Sequence, residues 1–143
     1  MGLEINGYAQ YKDPKTYSFK PIPIFDENGS HLVLWIGSSG ADLFYYGIGG
    51  VDGNSEGTLP LAERQSLDVM YGMNYEPEDD DVTPWRRISL GALKAVMKTY
   101  KKSSNEYKAA KHIEKQLSVL ANLSGVYVKN TYDDIVYTYY VSY

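Results

Sequence analysis

The chain contains no cysteine. Disulfides, thiolate nucleophiles and Cys-ligated metals are therefore excluded. Histidine is scarce, with His31 and His112 the only two copies in 143 residues. A histidine-activated nucleophile has few places to form, and no Gly-x-Ser-x-Gly elbow is present. No apolar run reaches the length of a membrane-spanning helix. The opening Met1-Gly2-Leu3-Glu4-Ile5 lacks a basic region followed by an apolar one, and Gly7 stands where a myristoylation motif needs Ser or Thr. The expectation is a cytosolic protein with no membrane partner. Repeats, linkers and low-complexity tracts are also missing, so residues 1–143 read as a single domain.

Tyrosine is abundant, with 15 copies against 3 Phe and 2 Trp. Its ring packs while its hydroxyl hydrogen-bonds, which suits half-buried sheet faces and wet interfaces alike.

The stretch from Thr83 to Gly125 organises the rest. Leu93, Val96, Met97 and Tyr100 recur at helical spacing, with Ser89 placed to cap the first turn. Lys101 to Asn105 breaks the period. Ser103-x-x-Glu106 has capping-box spacing, Ala110, Ile113, Leu117 and Leu120 continue a second stripe, and Gly125 supplies the stop. So short a connection predicts an antiparallel pair.

Strand patterns flank this hairpin. Leu3–Gln10 alternates, and Tyr17–Ile24 reads as a strand that Pro21 and Pro23 confine to an edge. His31–Ile36 is nearly all apolar and predicts a central strand buried on both faces. Pro60 to about Tyr71 reads as a helix with Leu61, Leu67 and Met70 inward. Ile135–Tyr143 alternates strongly, with Ile135, Tyr137, Tyr139, Val141 and Tyr143 on one face. The predicted fold is α+β: a mainly antiparallel sheet including both termini, with an antiparallel helix hairpin (about 89–124) packed on one face.

Charge is segregated along the chain. Arg86 to Lys115 holds nine Lys/Arg against two Glu, whereas the remainder holds five basic and sixteen acidic groups. Lys94, Lys98 and Lys101 form one basic stripe; Lys108, Lys111 and Lys115 form another. Such a field steers anionic partners, although a solvated lysine face would carry the same letters. His112 sits at the edge of the second apolar stripe and reads as a boundary residue rather than a base.

Ser38 to Glu63 is the least regular region and dense in glycine, which lets backbone approach a ligand closely. Phe44, Tyr45 and Tyr46 cannot all face inward from an extended segment, so Tyr45 and Tyr46 are candidate partner contacts together with Lys94, Lys98, Lys108 and Lys111. Gly47-Ile48-Gly49-Gly50-Val51-Asp52 places an acid where a phosphate loop needs lysine. Asp52, Asn54, Glu56, Gly57 and Glu63 reproduce positions 1, 3, 5, 6 and 12 of a calcium loop, which makes Asp52, Asn54, Glu56 and Glu63 candidate ligands. Pro60 at position 9 and the missing entering helix argue against it, and the expected cofactor set is none, with calcium as the alternative. Glu76 to Asp81 reads as a solvated acidic loop.

Met1-Gly2-Leu3-Glu4-Ile5-Asn6-Gly7-Tyr8 resembles the opening of a group of small, largely uncharacterised bacteriophage and bacterial proteins with an Asp-Ile-His-type first strand. Leu43-Phe44, Thr83-Pro84-Trp85 with Ser89-Leu90, and Ile135-Val136-Tyr137 fall where that group carries similar segments. Glu4 and Asn6 replace the Asp and His, so no functional residue is carried over. The resemblance implies a mobile-element origin, and with it the host-cell cytoplasm if the chain is phage-encoded. Together these features predict a small non-catalytic binding protein, acting as an inhibitor in an anti-defence role. It would occupy a host or defence protein, or sequester a small anionic nucleotide-like ligand. The alternative is nucleic-acid binding through the basic helix stripes, and the third reading is an enzyme acting on a nucleotide or nucleic acid. Self-association is left open.

Overall fold

In the computed structural model, which describes residues 4–37, 40–41, 44, 59–73, 85–126 and 132–142, alternation and helical spacing resolve into one sheet between two helical layers. The strands are β1 (Glu4–Lys12), β2 (Phe19–Pro21), β3 (Leu34–Gly37), β4 (Arg86–Ser89) and β5 (Ile135–Ser142). The helices are α1 (Leu61–Met70), α2 (Leu90–Thr99) and α3 (Asn105–Ser124). β1 and β5, from the two ends of the chain, pair antiparallel from Glu4↔Ser142 to Tyr11↔Ile135 and form the sheet centre. β4 adds outside β5, while β2 and β3 share the outer side of β1. The domain is α+β with a mainly antiparallel sheet and the α2–α3 hairpin on one face.

Local chemistry places the hairpin. The Ser89 hydroxyl accepts from the Ala92 N–H at 3.0 Å, satisfying a first-turn donor. Gly125 ends α3 at φ 79°, where a side chain would be strained. The second cap is Ser104 rather than Ser103, accepting from the Tyr107 N–H, one residue later than the capping-box spacing predicts. Leu90, Leu93 and Val96 of α2, with Ala110, Ile113, Leu117 and Leu120 of α3, bury against Ile5, Ile36, Ile88, Ile135, Tyr137, Tyr139 and Val141.

Two expectations need correction, and two further features of the sheet stand beside them. His31–Ile36 is not a doubly buried central strand. Only Leu34 and Ile36 turn into the core, β3 lies on the sheet's outer side, and Trp35 is 53% exposed. An apolar run reports burial propensity, not which neighbour a strand acquires. The second face of β5 is covered too, with Val136 and Thr138 buried as well. That face is covered by α1 and the Tyr8, Leu59, Leu67 and Trp85 cluster, so the sheet has helices on both sides. In α1 only Leu67 is buried; Leu61 and Met70 are exposed, since a short helix lying over a Tyr/Trp layer needs little apolar surface of its own. Arg86–Ser89, just ahead of the hairpin, forms β4.

Candidate functional site

The hairpin's outer surface opens into a groove of about 770 Å3 lined chiefly by lysine and tyrosine. It forms where α2 stops. Lys98 projects from the last turn, Tyr100 leaves the helix in extended conformation, and Lys101 and Lys102 follow in the connection. Extended backbone at Tyr100 turns its ring out of the apolar stripe, so it joins the groove instead of the core. Tyr107 comes from the first turn of α3. The far wall is Tyr132, 32 residues beyond Tyr100, brought in by the 3-10 turn Tyr132–Asp134. Gly91 permits that approach, because a Cβ there would overlap the Asp133 carboxylate.

The lysines are not equivalent. Lys94 Nζ donates to Glu114 at 2.9 Å and lies 4.8 Å from the Tyr132 ring, so its charge is partly committed to holding α2, α3 and the 3-10 turn together. Lys98, Lys101 and Lys102 form no ion pair among the described residues and stay exposed. Lys111 lies 5.8 Å from the Tyr107 ring and extends the positive field past the groove wall; Lys108 is exposed but does not line it. Of the four lysines singled out from sequence, Lys94 and Lys98 are brought together here. Tyr100, Lys101, Lys102, Tyr107 and Tyr132 were missed as site residues. Lysine and tyrosine density around Tyr100–Lys102 was a usable signal; nothing local pointed to Tyr132.

The arrangement offers mobile ammonium groups between aromatic faces. It can pair with phosphate or carboxylate oxygens through the lysines and hold a flat ring against tyrosine. Tyr45, Tyr46, Asp52, Asn54 and Glu56 lie outside the described residues, as does the acidic loop 76–81. Neighbouring Phe44 is fully buried, edge-on to Tyr137 and Tyr139. Glu63, the described member of the calcium-loop pattern, places Oε1 2.6 Å from Arg87 Nη2. Among the described residues no three His, Asp or Glu side chains converge on one point.

A second polar cluster is interior. Under α1, Gln10 donates to the Tyr71 hydroxyl at 3.0 Å and accepts from Thr138 at 2.8 Å. Arg87, 3% exposed, donates to Thr138 and Glu63 while its guanidinium stacks 3.9 Å from the Phe19 ring. Its polar groups are matched, so the cluster ties α1 to β1, β4 and β5.

Burial pushes the Tyr8, Tyr71, Tyr137 and Tyr140 hydroxyls above the ordinary value of 10.0. In the unfolded chain they ionise at that value; in the fold they hold their protons. Above pH 10 the unfolded state therefore binds fewer protons, and stability falls as pH rises. Urea unfolding followed from neutral pH to beyond pH 10 is expected to show a flat region and then a decline. Stability that holds level through that rise would contradict it.

Comparisons with protein-family models, with curated proteins and with solved structures give no match.

Proposed function

We propose that this chain is a non-catalytic binding protein that sequesters a small anionic, nucleotide-like ligand in the lysine–tyrosine groove. The carrying observation is the convergence of Lys98, Lys101 and Lys102 with Tyr100, Tyr107 and Tyr132 in one groove. Its volume lies within the range of small-molecule sites, roughly 300–1,000 Å3. The charge asymmetry of the chain supports the same reading, since an acidic remainder directs an anion toward this one basic region. With the mobile-element origin implied by the resemblance, removing a signal nucleotide from a host defence system would be the inhibitory act.

The test is calorimetric titration with ATP, a cyclic dinucleotide and inorganic triphosphate at low salt. Both nucleotides are expected to bind more tightly than triphosphate, because only they offer a ring to tyrosine. Lys98→Glu with Lys101→Glu is expected to lower affinity roughly a hundredfold, about 2.7 kcal/mol, with an unchanged melting temperature. A double variant that binds both nucleotides like wild type would overturn the groove assignment. Single-stranded oligonucleotides binding far more tightly than any nucleotide, with steep salt dependence, would instead establish the nucleic-acid reading.

A further inference from the structure

Away from the lysine–tyrosine groove, a second one of about 550 Å3 runs between β3 and the C-terminal half of α3. Its floor is apolar, from Leu34 on the strand and Val119 and Leu120 on the helix. Its helix wall carries His112 and Lys115, and among the described residues no carboxylate lines it. Val33 and Trp35, both exposed, sit on the strand side.

The strand itself is half paired. The Ala9 carbonyl accepts from the Ile22 N–H, so the odd-numbered residues of β1 direct their main-chain groups to the side where β2 and β3 lie. Ile5 and Gly7 are then the bonded partners of Ile36 and Leu34, and the Trp35 N–H and C=O point away from β1. The Tyr137 hydroxyl reaching the Leu34 carbonyl at 2.6 Å from the β1 side agrees with that parity. Among the described residues β3 pairs only with β1, leaving an open edge along an apolar groove. An open edge with exposed apolar side chains is a template for strand addition, normally blunted by charge or proline.

We propose that this groove docks an extended, acidic peptide segment of a partner protein, which adds as a strand to β3. Main-chain bonds would form to Trp35 and Val33, and alternate apolar side chains would enter the space above Leu34, Val119 and Leu120. A carboxylate on the segment would meet Lys115 and His112. Charge complementarity decides the occupant. A second copy of this chain, docked by two-fold pairing of β3 on β3, would bring one basic wall against another.

The experiment selects a display library of random short peptides on the immobilised chain, and measures the recovered peptides in solution by fluorescence polarisation. The expected result is enrichment of alternating apolar sequences containing Asp or Glu. Their affinity should fall roughly tenfold or more in Val33→Pro, which removes an outward N–H and leaves the β1 pairing intact. Lys115→Glu should weaken the same peptides, and Trp35→Lys serves if the proline variant fails to fold. Peptides that bind Val33→Pro and Trp35→Lys as well as wild type would overturn the proposal, as would a selection with no enrichment. Sedimentation showing a wild-type dimer that Val33→Pro dissociates would assign the edge to a second copy and overturn it too.

Discussion

Replacing Gly7 by alanine is expected to destabilise the protein by about 3 kcal/mol, the upper part of the range for overpacking a tight core. Gly7 stands in β1 between Leu34 of β3 and Tyr139 of β5. Its missing side chain is what lets the Tyr137 ring lie across β1 from β5, so that the hydroxyl donates to the Leu34 carbonyl. A methyl group at position 7 would overlap that ring. The ring has no room to retreat: it is fully buried, edge-on to Phe44 and stacked on Tyr139 with centroids 5.3 Å apart. Tyr137→Val, costly by itself, empties the space the methyl would occupy, so Gly7→Ala should add little in the double variant. Urea titration of wild type, both singles and the double would read that coupling. Equal effects of Gly7→Ala in the two backgrounds would show that the glycine is needed for backbone reasons and not for the ring.

The second large effect is expected at Trp85, on the opposite face. Trp85→Ala should cost about 3–5 kcal/mol, the range for emptying a buried large aromatic site. The indole is fully buried, donates from Nε1 to Asp68 of α1 at 2.8 Å, and packs against Tyr8, Tyr71 and Tyr140. With the Arg87–Glu63 pair, it fastens α1 to the sheet. Hydrogen exchange on Trp85→Ala should show protection lost first in Leu61–Met70, while the hairpin keeps its amides and the lysine–tyrosine groove keeps its affinity. Trp85→Phe keeps most of the packing and loses only the bond to Asp68, so a smaller loss is expected, about 1–2 kcal/mol. Simultaneous loss of protection in α1, α2 and α3 would show one cooperative unit in place of two layers.

These two sites mark where reading by pattern stops working. The strand after Trp85 is hard to see in sequence, because Arg86-Arg87-Ile88-Ser89 is short and puts charge where a strand facing a covered sheet should be apolar. The arginine is tolerated inside only because Thr138, Glu63 and Phe19, from three separate segments, surround it. In the lysine–tyrosine groove, the i, i+4, i+7 spacing of Lys94, Lys98 and Lys101 announced a basic face. It could not say that Glu114 would claim Lys94, or that Tyr132 would close the wall. In the same way, Lys115 belongs by spacing to the stripe of Lys108 and Lys111, yet it lines a different groove.

The sequence by itself determined the pieces whose causes are local. Alternation made strands of Glu4–Lys12 and Ile135–Ser142, helical spacing made α2 and α3, and hydroxyl and glycine chemistry set the α2 start at Ser89 and the α3 stop at Gly125. Each needs only neighbours a few residues away, so each is written in the period and the caps. Tertiary structure decided what is shared between distant segments. It made β1 and β5 central and left β3 at an edge, covered the second face with α1, and gathered lysines and tyrosines into one groove. The physical reason is that burial and proximity belong to pairs of surfaces. An apolar strand or a charged side chain carries the same letters whether its neighbour is another strand, a helix or water, and only packing chooses among them.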